Sequence, residues 1–349
     1  MGTKALLRVL PVSYTNIVIM YTVSTESLVK QQMKLNLKIS TALCAAALWA
    51  FLPSAANCAI TLPEPPHSVS APKLTAPKPV REDTGTQDLG IHAGHVGDGD
   101  AILLTLPDGK VALIDGGPSS LRADVPPPVV KLLKAHKVKQ IDYLVLTHPH
   151  ADHIGGLPYV ASHFKIGALY TIALMIPKDN QETRDRDELF NTLRKNGVPI
   201  IYPAEGDRLD WGPQLKVRVL NAAPQDGLTS TSSQMNNASL VLQIFYAGKT
   251  LLLTGDIEAK TEQRLLFVYK DSLKSDILKV PHHGSKGSNT TDFLKAVSPS
   301  EALICAGPDS MYGFPHPEVM KRLEEVGATV HSTSDGKPKD LFIKPETPQ

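Results

Sequence analysis

Apolar residues along this chain fall into short continuous runs, each closed by a glycine, a proline or a polar cluster. Residues 101–106 (Ala-Ile-Leu-Leu-Thr-Leu) and 111–114 (Val-Ala-Leu-Ile) read as strands joined through Pro107-Asp108-Gly109-Lys110, whose Asp-Gly pair signals a hairpin. Tyr143-Leu144-Val145-Leu146 reads as a buried strand, and further strands are predicted over 216–220, 240–245, 250–253, 276–280 and 302–305. Helices are predicted over 129–136, 187–195, 258–269, 291–296 and 317–325, with one more directly after Gly155-Gly156. Strands and helices alternate with hairpins included, a pattern that calls for sheets covered by helices. No repeat of solenoid period is present.

At 349 residues and 42% hydrophobic content, the chain can bury a sizeable core. Its formal charge of +1 decides nothing about nucleic acid, because a local basic groove fits inside a balanced total. Residues 1–32 carry no clear pattern, and Met33 reads as an alternative start. From Met33 the basic stretch to Lys38, the apolar run Ile39 to Leu52 and the small residues Ser54, Ala55 and Ala56 form a three-part export signal over 33–56. The apolar run is too short and too interrupted for a stable membrane anchor, so the chain is expected outside the cytoplasm, in a periplasmic or extracellular space. Residues 57–87 hold Pro63, Pro65, Pro66, Pro72, Pro77 and Pro79 and read as an extended linker. A folded domain is expected over 88–345. With Cys44 inside the signal, Cys58 and Cys305 imply no disulfide framework.

Chemistry concentrates in Thr147-His148-Pro149-His150-Ala151-Asp152-His153-Ile154-Gly155-Gly156, directly after the strand ending at Leu146. In an extended segment residues two apart point the same way, so His148 and His150 can face one metal ion. Asp152 and His153 follow as the chain turns and can face a second. Imidazole and carboxylate are the donors that suit zinc and its first-row neighbours. Other polar clusters also close strands: Asp115 after residue 114, Asp256 in Thr254-Gly255-Asp256, and His282 and His283 after Pro281. Asp256 alone reads equally as a helix cap, and His316 alone as a surface or capping residue. Adjacent histidines point in different directions, so one of His282 and His283 is expected to ligate and the other to orient substrate or pack.

Taken together, Asp115-Gly-Gly, His148-Pro-His150-Ala-Asp152-His153, Thr254-Gly-Asp256 and Pro281-His282-His283-Gly-Ser285 resemble the ordered motifs of the metallo-β-lactamase fold. More narrowly, Val96-Gly97-Asp98-Gly99-Asp100, Asn236-Asn237-Ala238-Ser239-Leu240 and Tyr312-Gly313-Phe314-Pro315-His316-Pro317-Glu318 resemble the extracytoplasmic hydrolase domain of the ComEC/Rec2 competence proteins. The resemblance implies an α/β chain folded as an αββα sandwich with two divalent metal ions, zinc or manganese, at one edge. It implies metal ligation by His148, His150, Asp152, His153, Asp256 and one of the pair, with His282 taken as ligand. It implies Asp256 as bridging carboxylate, and Asp115 and Asn236 as supports behind the ligands. Asp152, Asp256, His283 and His316 are the expected catalytic groups, and Lys279 and Ser285 the expected substrate contacts.

The fold commonly supplies another histidine between the first motif and Asp256, and here the one candidate is His163, on the helix after the motif. Phe314 stands where relatives often have His. Paired cations activate water near neutral pH and offset charge on an attacked phosphodiester, so the implied activity is a secreted metal-dependent phosphodiesterase or DNase, with DNA or another phosphodiester as partner. Two alternatives stay open: a small-molecule hydrolase of the same fold (phosphorylcholine-type esterase, β-lactamase or lactonase), and a non-catalytic metal-containing binding protein. Fold alone does not choose among them.

Overall fold

The computed structural model describes residues 88–122, 124–173, 181–222 and 231–345. The expected signal, the linker and residues 1–32 lie outside the described residues.

Strands and helices follow one another as β1 (Leu89–Ala93), β2 (Ile102–Thr105), β3 (Val111–Ile114), α1 (Val129–Ala135), β4 (Gln140–Leu146), α2 (Ala151–Ile154), α3 (Leu157–His163), β5 (Lys165–Thr171), α4 (Gln181–Lys195) and β6 (Ile200–Ile201). A second run follows: β7 (Arg208–Leu209), β8 (Lys216–Asn221), α5 (Ser232–Asn237), β9 (Val241–Tyr246), β10 (Lys249–Leu253), α6 (Ala259–Tyr269), β11 (Ile277–Lys279), α7 (Thr291–Val297), β12 (Glu301–Ile304), α8 (Pro317–Glu325), β13 (Thr329–Ser332) and β14 (Lys339–Ile343). They build two seven-stranded sheets, β14-β1-β2-β3-β4-β5-β6 and β13-β12-β11-β10-β9-β8-β7. Each sheet is antiparallel through its hairpins and parallel from β3 through β6, or from β10 through β13.

Why the strands read as continuous apolar runs is visible in their burial. Ile102 and Leu104 of β2, Ala112 and Ile114 of β3, and Leu251 and Leu253 of β10 join one core shared by both sheets. Their neighbours Leu103 and Leu113 point the other way, into a layer with Val129, Leu133, Leu157 and Leu189 from α1, α3 and α4. Leu252 and Leu278 likewise meet Leu265, Phe293 and Leu323 of α6, α7 and α8. A strand covered on both faces has no polar side to show, so alternation disappears. The layers are therefore helix, sheet, sheet, helix, the expected αββα sandwich, packed through three apolar cores.

Most expected elements appear within two residues of their predicted ends. The helix expected from Asp187 starts earlier, at Gln181, because its first turns are mostly polar and carry little periodic apolar signal. Strands β1, β5, β6, β7, β13 and β14 had no prediction. In β5 the interrupting residue is Gly167, where an added Cβ would lie 2.5 Å from the Asp142 carbonyl oxygen. That glycine marks a close backbone approach within the sheet rather than a break.

Candidate metal centre

Four strand ends meet at one edge of the sandwich. After β4 the chain runs extended to His150 (φ −64°, ψ 149°), which precedes α2 and leaves Asp152 and His153 in that short helix. After β10, Gly255 takes φ +53° where an added Cβ would lie 2.9 Å from the Ser239 side chain, and so delivers Asp256 inward. After β11 the Pro281–Gly284 turn holds His282 and His283 at φ 50° and 54°, a costly left-handed conformation for non-glycine residues that tends to persist where a site depends on it. After β3, Asp115 is also left-handed (φ 58°).

These ends bring one oxygen of Asp256, Oδ2, to 3.2 Å from His153 Nε2 and 3.2 Å from His283 Nε2. Asp152 Oδ2 lies 3.3 Å from His283 Nε2 and 3.9 Å from His153 Nε2. Beside them His148 Nε2 and His150 Nδ1 are 2.9 Å apart. The far side of each buried ring is anchored. His153 Nδ1 pairs with Asp115 Oδ2 at 2.8 Å, and the same carboxylate accepts from the Thr147 amide and hydroxyl. His283 Nδ1 donates to the Cys305 carbonyl at 2.8 Å, while His148 Nδ1 contacts Thr147 Oγ1 and Ser239 Oγ at 3.1 and 3.3 Å. Such partners fix ring orientation and free the other nitrogen for ligation.

Whether these residues fit a metal can be judged from what is left unsatisfied. His153 Nε2, His283 Nε2 and Asp256 Oδ1 are buried with no hydrogen-bond partner among the described residues. An orphaned buried polar atom costs about 1–3 kcal/mol, and a divalent cation held by these side chains would offset that cost. Asp152, His153, Asp256 and His283 offer donor atoms that all lie within 4.8 Å of one another. The donor set fits.

A pattern of the metallo-beta-lactamase superfamily matches residues 94–307, well over half of the chain. The chain belongs to the metallo-beta-lactamase superfamily. Within it the chain is ComEC/Rec2-like. It is 33% identical to ComE operon protein 3 of Bacillus subtilis over 66% of this chain, and 29% identical to recombination protein 2 of Haemophilus influenzae over 68%. It spans only 30% and 27% of those two relatives' lengths. Among solved structures, Igni18, a metallo hydrolase from Ignicoccus hospitalis, aligns with a TM-score of 0.47 at 18% identity, covering 73% of this chain and 100% of that one.

Charge in this superfamily member's cluster is balanced by protons when no cation is bound. Burial opposes the charged form of His153, yet the Asp256, Asp152 and Asp115 carboxylates outweigh it and hold its pKa well above the usual histidine value. His283 is raised in the same way, against burial, chiefly by the Asp256 carboxylate and by the nearby carboxylates of Asp100 and Asp152. Burial would raise Asp256, but His283 and His153 hold it well below the usual carboxylate range. His148, by contrast, is pushed well down by burial and by its neighbours His153 and His150, so it presents a neutral lone pair. Metal must therefore displace protons from His153 and His283, and affinity rises with pH. Each displaced proton is worth about tenfold per pH unit, so the apparent dissociation constant should tighten by up to about a hundredfold per unit as pH rises toward the raised pKa values of the two rings, and flatten above them. Metal titration by calorimetry measures it; a flat profile would contradict proton displacement.

Several expected roles change in this geometry. His283, not His282, joins the four-donor cluster; His282 Nε2 stays 4.0 Å from Asp256 Oδ2, because successive left-handed residues aim the rings apart. Lys279 is 1% exposed, its Nζ sits 2.8 Å from Asp100 Oδ2 and donates to the Val280 carbonyl, so it faces inward rather than toward a substrate. The Ser285 hydroxyl is turned into its own loop, accepting from the Gly287 amide at 3.3 Å. His316 precedes α8 and accepts the Lys286 amide at 3.2 Å, with the Phe314 ring 5.4 Å from it. Asn236 donates to Glu258 Oε1 at 2.9 Å and its Oδ1 remains unpartnered. His163 is exposed and stacked on Tyr159 at 3.8 Å, away from any ligand role.

Two contributors escaped sequence reasoning as individuals. Asp100, buried and 3.4 Å from His283 Nδ1, was visible only as part of a motif. Glu258 accepts from Ser233, Asn236 and Asn237, binding the Asn-Asn segment to the Asp256 loop. Its position two residues past Asp256 was the available signal.

Proposed function

We propose that the chain is an exported metal-dependent phosphodiesterase acting on DNA. The observation that carries this reading is the convergence of donor atoms from Asp152, His153, Asp256 and His283 within 4.8 Å of one another, with Asp256 Oδ2 3.2 Å from both His153 Nε2 and His283 Nε2. Asp152, His153, Asp256 and His283 would hold one divalent ion, and His148, His150 and Asp256 a second. Such ions, when bound, make a water nucleophilic near neutral pH and offset the charge developing on an attacked phosphodiester. The protein's own part is to hold those donors rigidly: Asp115 and the Cys305 carbonyl set the ring planes of His153 and His283.

Relatives named for competence and recombination support DNA as the substrate. So does the wall beside the cluster. Phe314 lies 5.6 Å from His282 and 5.9 Å from His283, and Tyr312, largely exposed, stacks on Phe314 at 5.4 Å. With Phe314 where relatives often have His, this chain offers aromatic faces, on which bases stack at about 1–3 kcal/mol each. The signal over 33–56 supports export, and no described helix is long and apolar enough to cross a membrane.

Incubating the folded chain with single- and double-stranded DNA and manganese, zinc or magnesium, beside His150→Ala, tests the reading. Metal-dependent cleavage is expected, lost in His150→Ala, and falling about tenfold between about 50 and 200 mM salt for a footprint of about two phosphates. Metal binding without DNA cleavage would move the assignment to a small ester or lactam substrate.

A further inference from the structure

We propose that His92, His136 and Asp340 form a second, separate zinc site that fastens the C-terminal edge strand to the first sheet. The three residues come from β1, from the end of α1 and from β14, and their donor atoms lie within 4.8 Å of one another. They share no residue with the cluster around Asp256. His92 and Asp340 also lie outside the span matched by the superfamily.

His92 is 4% exposed, with Nδ1 2.7 Å from Asp340 Oδ1 and Nε2 3.2 Å from Thr105 Oγ1. The His136 ring lies 4.0 Å from the His92 ring, tilted by 40°. Space for this arrangement is built into the strand: a side chain at Gly90 would meet Thr105 Oγ1 at 2.3 Å and His92 Nε2 at 2.5 Å. Glycine there keeps the place of the imidazole open. Burial, and His92 beside it, lower the pKa of His136, so its lone pair is available at neutral pH. Two imidazoles and a carboxylate form a donor set that suits zinc rather than magnesium or calcium, and leave a fourth position for water.

The cation would sit between His92 Nδ1 and Asp340 Oδ1, the ring proton moving to Nε2, where Thr105 Oγ1 at 3.2 Å accepts it. Asp340 is exposed, so its carboxylate can rotate to admit the ion. Among the described residues β14 is the last strand of its sheet and pairs with β1 alone, in the register His92 opposite Asp340. An edge strand held on one side opens first, and a metal link across that register acts where the sheet is weakest.

The test counts zinc bound per chain by equilibrium dialysis at fixed free zinc, in the unmodified protein, His136→Ala, Asp340→Asn and, as control, His163→Ala. In parallel, hydrogen exchange is followed at the amides of Lys339–Ile343. Expected are one zinc fewer in His136→Ala and Asp340→Asn, and no change in His163→Ala. Zinc at about ten times its dissociation constant should slow exchange of β14 about tenfold in the unmodified protein and leave Asp340→Asn unaltered. The same zinc count in all four proteins, or exchange of β14 indifferent to zinc, would overturn the proposal. Because Asp340 is exposed, its amide variant keeps the fold and the comparison stands even if His136→Ala does not.

Discussion

Asp256→Ala is expected to lose tight metal binding and to lower hydrolysis by about a thousandfold or more. One of its oxygens stands 3.2 Å from both His153 Nε2 and His283 Nε2, and its other oxygen has no hydrogen-bond partner among the described residues. No neighbour can replace it, since Asp152 Oδ2 lies farther from His153, at 3.9 Å. Metal ions stabilise developing charge by several kcal/mol, and about 4 kcal/mol corresponds to about a thousandfold in rate. The variant also removes the carboxylate that does most to hold protons on His153 and His283, so both rings should titrate at lower pH in the metal-free protein. Nuclear magnetic resonance titration of the histidines, beside metal counting and turnover, checks all three. Turnover within about tenfold of the parent would sink Asp256 as the shared ligand.

Lys279→Met is expected to destabilise the protein by about 3–5 kcal/mol although it touches no proposed ligand. Its ammonium is 1% exposed and faces Asp100, itself 1% exposed, at 2.8 Å. Truncating one partner strands the other as an uncompensated buried charge. Asp100 Oδ1 in turn stands 3.4 Å from His283 Nδ1, so disturbing the pair should also weaken metal affinity. Urea unfolding of Lys279→Met and of Lys279→Met combined with Asp100→Leu reads the effect. The double variant should regain most of the lost stability, and a single variant as stable as the parent would show that the pair is not buried as described.

Legibility of this fold and site from sequence divided along physical lines. Residues 111–114 and 317–325 were placed to the residue, since their apolar spacing reports burial that their own neighbours complete. β14 was missed because Lys339–Ile343 is only partly buried, gaining its strand identity from β1, about 250 residues earlier. The His148 to His153 motif was readable as metal chemistry because donors crowd into one segment. Which of His282 and His283 faces the cluster was not, since two consecutive left-handed residues depart from any regular side-chain alternation. Lys279 misled for a related reason: a lysine beside a metal loop is usually solvated, and only Asp100, brought close by pairing across the fold, makes burial tolerable.

The donors around Asp256 are divided between the two sheets, His153 belonging to the short helix α2 after β4 and Asp256 and His283 to the turns after β10 and β11. A bound ion would therefore close a loop of roughly a hundred residues, working on chain entropy as a reversible cross-link between the halves of the sandwich. Withdrawing the metal would loosen the grip of one half of the molecule on the other as well as silence the chemistry, so a chelator would act on this protein partly as a mild denaturant.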